Sequence, residues 1–268
     1  MVARGTALLV LLLRANALTP PTLRRPSFFA PTQPPPETRP QSEYEDSDVE
    51  ARLAFARDGL CVVEDFFDEE TFAACQRSAR RQRELKPETL ESVAVGRLGC
   101  FLEPRDPVCV ALSRPESVAV GRLGCFLEPR DPVCVALSRP ESVARLRRIC
   151  GDDRLEPADF PVELRRYPVG SSMGWHKDEV LYEEPQLEVV LTLENTSDSQ
   201  TRWERADGSV RGAWLPPNSL LLVKAEGATH GVTTVRRGDR LIAKFVLTAS
   251  PIKLQAWYDN ILSYQAQP

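Results

Sequence analysis

Histidine is nearly absent from this chain: its 268 residues include only His176 and His230. A metal site built on three imidazoles is therefore excluded, and any metal would need a carboxylate or thiolate as well. Lysine is scarce too, at five of the 34 basic residues. Because 38 acidic residues outnumber the basic ones, for a formal charge of −4, we expect no nucleic-acid partner.

Cysteine pairs and long apolar segments are also missing. The seven cysteines form no CxxC motif, which excludes a zinc ribbon and a thioredoxin-like site. The apolar run 7–13 would rise only about 10 Å as a helix, whereas a bilayer core is about 30 Å thick. The sequence therefore predicts no membrane span.

The first 36 residues contain no acidic residue, which is typical of a targeting segment. Arg4, the apolar run after it and the small residues 15–17 predict a signal peptide over 1–17. Residues 18–45 are rich in proline and predict an extended, transit-like leader. We expect routing to the secretory pathway or ER lumen, or to a plastid through this two-part leader.

One segment of the chain is duplicated. Residues 91–115 recur without a single change as 116–140. Structural repeats of solenoid proteins keep a pattern but diverge in sequence, so this identity indicates a recent tandem duplication or an error in gene assembly. A domain built around one copy has no place for the other. We expect one copy to pack and the other to form a poorly ordered loop, without predicting which.

The remaining sequence predicts one domain over 46–250, followed by a C-terminal tail over 251–268. The composition, 42% hydrophobic, supplies one core of about 200 residues. Helical spacing predicts helices at 46–58, 68–83 and 141–150, and a short buried strand follows Gly59. Short β-rich runs are predicted at 162–168, 173–177, 187–194, 201–205, 209–214, 219–225, 229–235 and 240–248. This order predicts a mainly β, α+β fold: a jelly roll or cupin-like barrel with flanking helices.

Both histidines fall in the β-rich region. His176 and Asp178 are separated by one residue, so in extended chain their side chains share a face. His230 lies in a later β run that a rolled sheet can bring to the same place. Two imidazoles and one carboxylate leave about three coordination positions open, as in non-haem Fe(II) oxygenases, whereas zinc with these ligands would be tetrahedral with one water.

Residues near the two histidines supply groups for an acidic co-substrate. Arg240 follows His230 by ten residues, and its guanidinium could bind the far carboxylate of a keto acid that chelates the metal. Lys244 lies on the same strand face and is a reserve cation for this role. Tyr167 precedes His176 by nine residues and could donate a hydrogen bond to the bound acid.

These residues form the string Y-x2-G-x5-H-x-D, followed by H-G-V-x-x-V-x-x-G-x-R. The pattern resembles the catalytic domain of the prolyl 4-hydroxylase-like Fe(II)/2-oxoglutarate-dependent dioxygenases. The resemblance is specific from Tyr167 to Lys244 and weak before Val162. It implies a double-stranded β-helix core, with Fe(II) held by His176, Asp178 and His230, and 2-oxoglutarate anchored by Arg240 in a pocket that Tyr167 and Thr192 line.

The resemblance also implies a reaction. O2 and 2-oxoglutarate would give succinate and CO2 while a C–H bond is hydroxylated, on a protein side chain such as peptidyl proline or on a small molecule. Ascorbate is implied as a further cofactor. The predicted strand that follows, within 187–199, lacks the tyrosines usual in the family, and collagen-type enzymes tend to have Lys at the position of Arg240. Both departures argue against a collagen-like substrate. A cupin-like zinc hydrolase or isomerase, or a non-catalytic β-helix binding module, remain alternatives.

Overall fold

The computed structural model describes residues 41–82, 85–87, 119–120 and 122–265. The predicted signal peptide, the leader up to residue 40 and the first repeat copy, 91–115, lie outside the described residues. Within the described part, no helix is both long enough and apolar enough to cross a bilayer.

The described elements are five helices and thirteen strands. The helices are α1 Gln41–Asp58, α2 Glu69–Arg81, α3 Pro132–Ser138, α4 Pro140–Cys150 and α5 Gln255–Gln265. The strands are β1 Leu60–Val63, β2 Lys86–Pro87, β3 Ala119–Val120, β4 Leu123–Phe126, β5 Glu156–Pro157, β6 Glu163–Tyr167, β7 Ser172–His176, β8 Leu187–Asn195, β9 Thr201–Glu204, β10 Val210–Ala213, β11 Leu220–Lys224, β12 His230–Val232 and β13 Arg240–Thr248.

The strands form two antiparallel sheets. The major sheet has eight strands, in the order β1-β11-β8-β13-β6-β4-β2 with β5 beside β13. The minor sheet has five, in the order β10-β9-β12-β7-β3. Trp203 of the minor sheet packs with Leu221 and Val223 of the major sheet, so the two sheets enclose a shared interior. The predicted jelly-roll core with flanking helices is therefore confirmed.

Alternation along the major-sheet strands separates two very different faces. One face carries Leu164, Leu191, Ala243 and Phe245 and packs with buried residues of α1, α2, α3 and α4 in the largest hydrophobic cluster. The inner face, toward the minor sheet, carries the side chains between these positions, because successive residues of a strand point to opposite faces. Tyr167 and Ile242 pack there.

Helix boundaries follow local signals at most ends. Asp68 caps α2 by accepting a hydrogen bond of 2.8 Å from the Thr71 backbone N–H, so the predicted start of this helix at 68 is its N-cap. α1 starts at Gln41, five residues before its predicted start at 46, so the last residues of the predicted leader belong to this helix. The predicted C-terminal tail contains α5.

The second repeat copy contributes to the core. Its segment 123–126 forms β4, which pairs with β6, and its segment 132–138 forms α3. Asp131 caps α3 through the Val133 N–H and also accepts a hydrogen bond of 2.7 Å from Ser78 in α2. Leu137 is fully buried. The second copy therefore packs, while the expected loop in the first copy remains a prediction.

A chain with one repeat copy is expected to keep this fold. Deleting 91–115 or 116–140 gives the same sequence, since the copies are identical. β2 and β4 would still be joined by ten residues, more than a hairpin needs. We expect the thermal unfolding midpoint to stay within about 4 °C of the full-length value, the shift that about 1 kcal/mol produces. Loss of cooperative unfolding would contradict the assignment of β4 and α3 to a single copy.

Candidate active site

His176, Asp178 and His230 converge on one point between the two sheets. Each offers one ligand atom, and these atoms lie within 4.8 Å of one another. The Asp178 carboxylate lies 3.6 Å from His176 Nε2 through Oδ1 and 3.5 Å from His230 Nε2 through Oδ2. Within the described residues, this is the one group of three or more histidine, cysteine or acidic side chains with metal-binding geometry.

Strand pairing brings the two imidazoles together. β12 pairs antiparallel with β7, and His230 lies directly opposite His176, with ring centroids 4.3 Å apart. The next residue, Gly231, has no room for a side chain, because a Cβ there would lie 2.8 Å from the Met173 carbonyl oxygen. A glycine at this position therefore lets the two ligand-bearing strands approach closely.

Backbone carbonyls fix the protonation of both imidazoles. His176 Nδ1 lies 2.9 Å from the Gly174 carbonyl oxygen, and His230 Nδ1 lies 3.2 Å from that of Ala228. A carbonyl only accepts hydrogen bonds, so each Nδ1 carries the proton and each Nε2 presents its lone pair. His176 Nε2 is buried and has no hydrogen-bond partner among the described residues. Both rings are therefore oriented as metal ligands, with Nδ1 held by the backbone.

The ionisation of the cluster also suits a cation. Burial raises the pKa of Asp178, but the adjacent His176, His230 and Lys244 outweigh it, so that the pKa lies below its ordinary value. Burial lowers the pKa of His230, which favours the neutral imidazole that a metal requires. The unpartnered Nε2 of His176 and this N,N,O donor set fit a divalent transition metal.

Arg240 opens β13 on the inner face, after a tight turn. Gly238 has φ +67°, and a Cβ there would lie 2.2 Å from the Thr196 carbonyl oxygen, so the turn requires glycine. The Arg240 side chain is buried, and its Nη1 donates a hydrogen bond of 2.8 Å to Thr201 Oγ1. Its Nε has no partner in the described part of the chain. Burial lowers the pKa of this guanidinium, and no carboxylate contributes to that shift.

Tyr167 and Thr192 flank Arg240 on neighbouring strands. Tyr167 lies opposite Arg240 on β6, and its hydroxyl accepts a hydrogen bond of 3.1 Å from Arg122 Nη1. Thr192 lies on β8, opposite Ile242, and is fully buried. Its Oγ1 has no hydrogen-bond partner among the residues described. A buried hydroxyl without a partner is costly, which marks this wall as polar and ready for a ligand.

Lys244, the predicted reserve cation, already has a carboxylate partner. Its Nζ lies 2.5 Å from Glu188 Oε2 and 3.9 Å from Glu163 Oε2. The strand rise of about 3.3 Å per residue separates it from Arg240 by about 13 Å along β13. The two cations therefore lie at different levels of the interior, and among the described residues only Lys244 of the two has a carboxylate partner.

Sequence reasoning missed the charged residues that accompany Lys244. Glu163 and Arg165 share the inner face of β6, and Glu188 that of β8. A charged residue at every second position is the usual pattern of a strand facing water, so the pattern alone indicates the wrong environment. Arg122 and Thr201 were missed as well, because each acts through one hydrogen bond to a predicted site residue.

Comparison with solved structures identifies the fold. A prolyl-4-hydroxylase from Pseudomonas putida matches with a TM-score of 0.54 and 17% identity, over 75% of this chain and 97% of that chain. The epimerase SnoN in complex with Fe3+, alpha ketoglutarate and nogalamycin RO gives 0.56 and 11%, over 76% and 84%. A prolyl hydroxylase from Trichoplax adhaerens, in complex with a hypoxia inducible factor peptide fragment, gives 0.53 and 13%, over 84% and 98%.

No protein-family model and no curated protein sequence matches the chain. The solved structures nevertheless define the class of fold, which is that of the 2-oxoglutarate/Fe(II) oxygenases. Within that class the fold is prolyl-4-hydroxylase-like, as the sequence resemblance predicts.

The buried carboxyl of Glu188 makes the stability of the metal-free protein depend on pH. Burial and the nearby Asp178 and Glu163 raise the pKa of Glu188 to about 7. The folded protein thus binds this proton more tightly than the unfolded chain, so stability falls as pH rises from about 4.5 to about 7. Glu188→Gln should flatten this part of the profile, measured by urea unfolding between pH 5 and 7.5. The exposed Glu204→Gln is the control, and an unchanged slope in Glu188→Gln would contradict the assignment.

Proposed function

We propose that this protein is an Fe(II)- and 2-oxoglutarate-dependent dioxygenase that hydroxylates a C–H bond of a substrate. The observation that carries the proposal is the convergence of His176, Asp178 and His230 in the interior of the barrel that also holds the buried, carboxylate-free Arg240. The likeness to solved oxygenases supports the fold on which this arrangement is built.

Iron would be held by His176 Nε2, His230 Nε2 and a carboxylate oxygen of Asp178. With iron and 2-oxoglutarate bound, O2 oxidises the substrate C–H to C–OH while 2-oxoglutarate is converted to succinate and CO2. The chain supplies two neutral imidazoles through their backbone-held tautomers, and one carboxylate that stays ionised. Ascorbate is proposed as the reductant that keeps the iron ferrous.

The far carboxylate of 2-oxoglutarate would bind Arg240. Arg240 is buried and has no carboxylate partner in the described part of the chain, a costly arrangement that a bidentate pair with an incoming carboxylate would relieve. Thr192 Oγ1 and the Tyr167 hydroxyl lie on the flanking strands and would complete the polar wall. The surrounding apolar residues, Ile242 and Val235 among them, exclude water from this end of the interior.

The prime substrate is proposed to be a protein side chain or a small molecule. The matching structures include one complex of each kind: the Trichoplax adhaerens prolyl hydroxylase with a peptide fragment, and SnoN with nogalamycin RO. A cupin-like zinc hydrolase or isomerase is the alternative outcome of the first experiment below.

The first test is anaerobic addition of Fe(II) and 2-oxoglutarate to the purified protein. We expect the visible charge-transfer band of the chelate, and O2-dependent succinate formation once air is admitted. Asp178→Ala and His176→Ala should lose both, because each removes one of three ligands. Asp207→Ala, in an exposed hairpin, is the matched control. A band that survives in Asp178→Ala, or activity restored by zinc without O2 consumption, would overturn the proposal.

The second test concerns the anchor for 2-oxoglutarate. Arg240→Met keeps much of the side-chain volume but removes a charge-assisted bond, typically about 1.5–3 kcal/mol, so the 2-oxoglutarate concentration for half-maximal succinate formation should rise about 10- to 100-fold. Arg237→Met, on the exposed turn before it, is the control. If Lys244→Met raises that concentration and Arg240→Met does not, the anchor is Lys244.

A further inference from the structure

Four ionisable side chains lie together on the inner face of the major sheet. Glu163 and Arg165 come from β6, Lys244 from β13 and Glu188 from β8, and we call this group the charge quartet. Arg165 Nη2 lies 3.0 Å from Glu163 Oε2 and donates a 3.0 Å hydrogen bond to Oε1. Lys244 Nζ contacts both carboxylates, with its shorter distance, 2.5 Å, to Glu188. The quartet is a connected chain of two basic and two acidic side chains.

Burying the quartet in the barrel interior costs desolvation free energy. Buried ion pairs are often no better for stability than apolar side chains of the same volume, because desolvation offsets their attraction. The opposite face of the same strands is filled with hydrocarbon, including Leu164, Leu191 and Phe245. Such departures from apolar packing are characteristic of functional sites. The quartet therefore indicates a surface selected for binding.

The quartet adjoins the metal-ligand cluster. Gln186 Nε2 donates one hydrogen bond to Glu188 Oε1, at 3.3 Å, and one to the backbone carbonyl of Glu179, the residue after Asp178, at 2.8 Å. Lys244 is also about 13 Å along β13 from Arg240, by strand rise. A substrate that reaches the metal from the side of Lys244 would meet the quartet, while 2-oxoglutarate occupies the level of Arg240.

Exposure within the quartet is uneven. The side chains of Arg165 and Lys244 remain 12% and 13% exposed, which is close to the 14% and 12% of His176 and Asp178. The Glu163 and Glu188 side chains are only 2% and 4% exposed. The carboxylates are therefore covered and the cations are the accessible part. The exposed surface of the quartet therefore comes mainly from its two basic side chains.

We propose that Lys244 and Arg165 form a second anion subsite that binds a carboxylate of the prime substrate, which makes that substrate a small carboxylic acid such as a free amino acid. This inference rests on the proposed dioxygenase function and narrows its substrate class. Glu188 and Glu163 hold Lys244 and Arg165 in place through their ion pairs. A bound carboxylate would share Lys244 with Glu188, and a substrate lacking that charge would leave the subsite unsatisfied.

The test compares acids with their neutral counterparts. The probes are a panel of the twenty L-amino acids and the C3–C6 aliphatic carboxylic acids, each beside its primary amide. The 268-residue chain, loaded with Fe(II) and 2-oxoglutarate, is assayed for succinate formed above the substrate-free rate. A second readout is the thermal unfolding midpoint of the metal-free protein with each probe, which does not depend on turnover.

One variant pair isolates the subsite. Lys244→Gln combined with Glu188→Gln removes both partners, so no buried charge is left unpaired. The control is Arg145→Gln combined with Asp48→Asn, which removes an ion pair of similar burial between α4 and α1, outside the barrel interior. Lys244→Arg, which keeps the charge, is a second control. If the double variant does not fold, Lys244→Met combined with Glu188→Met replaces the ion pair with apolar side chains of similar volume and is expected to lose the preference in the same way.

We expect at least one acid to stimulate succinate formation and to raise the unfolding midpoint. Its amide should require at least a tenfold higher concentration for the same effect, a difference of about 1.4 kcal/mol in binding free energy. The subsite double variant should lose this preference, whereas the control and Lys244→Arg should keep it. Equal responses to acid and amide, no response to any acid, or a wild-type preference in the double variant would overturn the subsite. Absence of the chelate band in the wild-type protein would instead overturn the dioxygenase function itself, and the subsite with it.

Discussion

The antiparallel pairing of β7 with β12 is the contact on which the site depends. It places His230 directly opposite His176 and brings both within reach of Asp178. The backbone carbonyls of Gly174, in β7, and of Ala228, just before β12, fix the imidazole tautomers. Gly231 permits the close spacing of the two strands. The ligand geometry is therefore set by backbone hydrogen bonds, which are the least adjustable part of the fold. The other groups of the site, Arg240 and the charge quartet, lie on the major sheet and face this pair of minor-sheet strands.

The major sheet divides its two faces between stability and chemistry. The helix-facing side is continuous hydrocarbon and supplies the burial that holds the domain together. The inner side accepts charged and hydroxylated residues whose burial costs free energy, and that cost is compatible with a stable fold because the other face is so apolar. Alternate residues of the same strand therefore belong to two different environments, one apolar and one polar. This division explains how Arg240, Thr192 and Lys244 can be buried in a chain that still folds.

Much of this fold could be predicted from the sequence, because the short β runs and the turn at Gly238 are local signals. The three candidate ligands could also be predicted, since two histidines leave little choice and the His176–Asp178 spacing fits one strand face. The charge quartet could not be predicted, because the residues Glu163 and Arg165 alternate as they would on a solvent-facing strand. Which way a strand faces is decided by the partner sheet, a tertiary property. Helix α3 could not be predicted either. The two repeat copies have the same sequence, so local signals cannot decide which copy forms the helix.

The repeat gives this protein an internal comparison. Leu102 and Leu127 have the same neighbours in sequence for more than ten residues on either side, and Leu127 is buried in the core. Local propensity is the same at both positions by construction. Any difference between the effects of one substitution made at each position thus measures what tertiary surroundings add to local sequence, within a single molecule and under a single set of conditions.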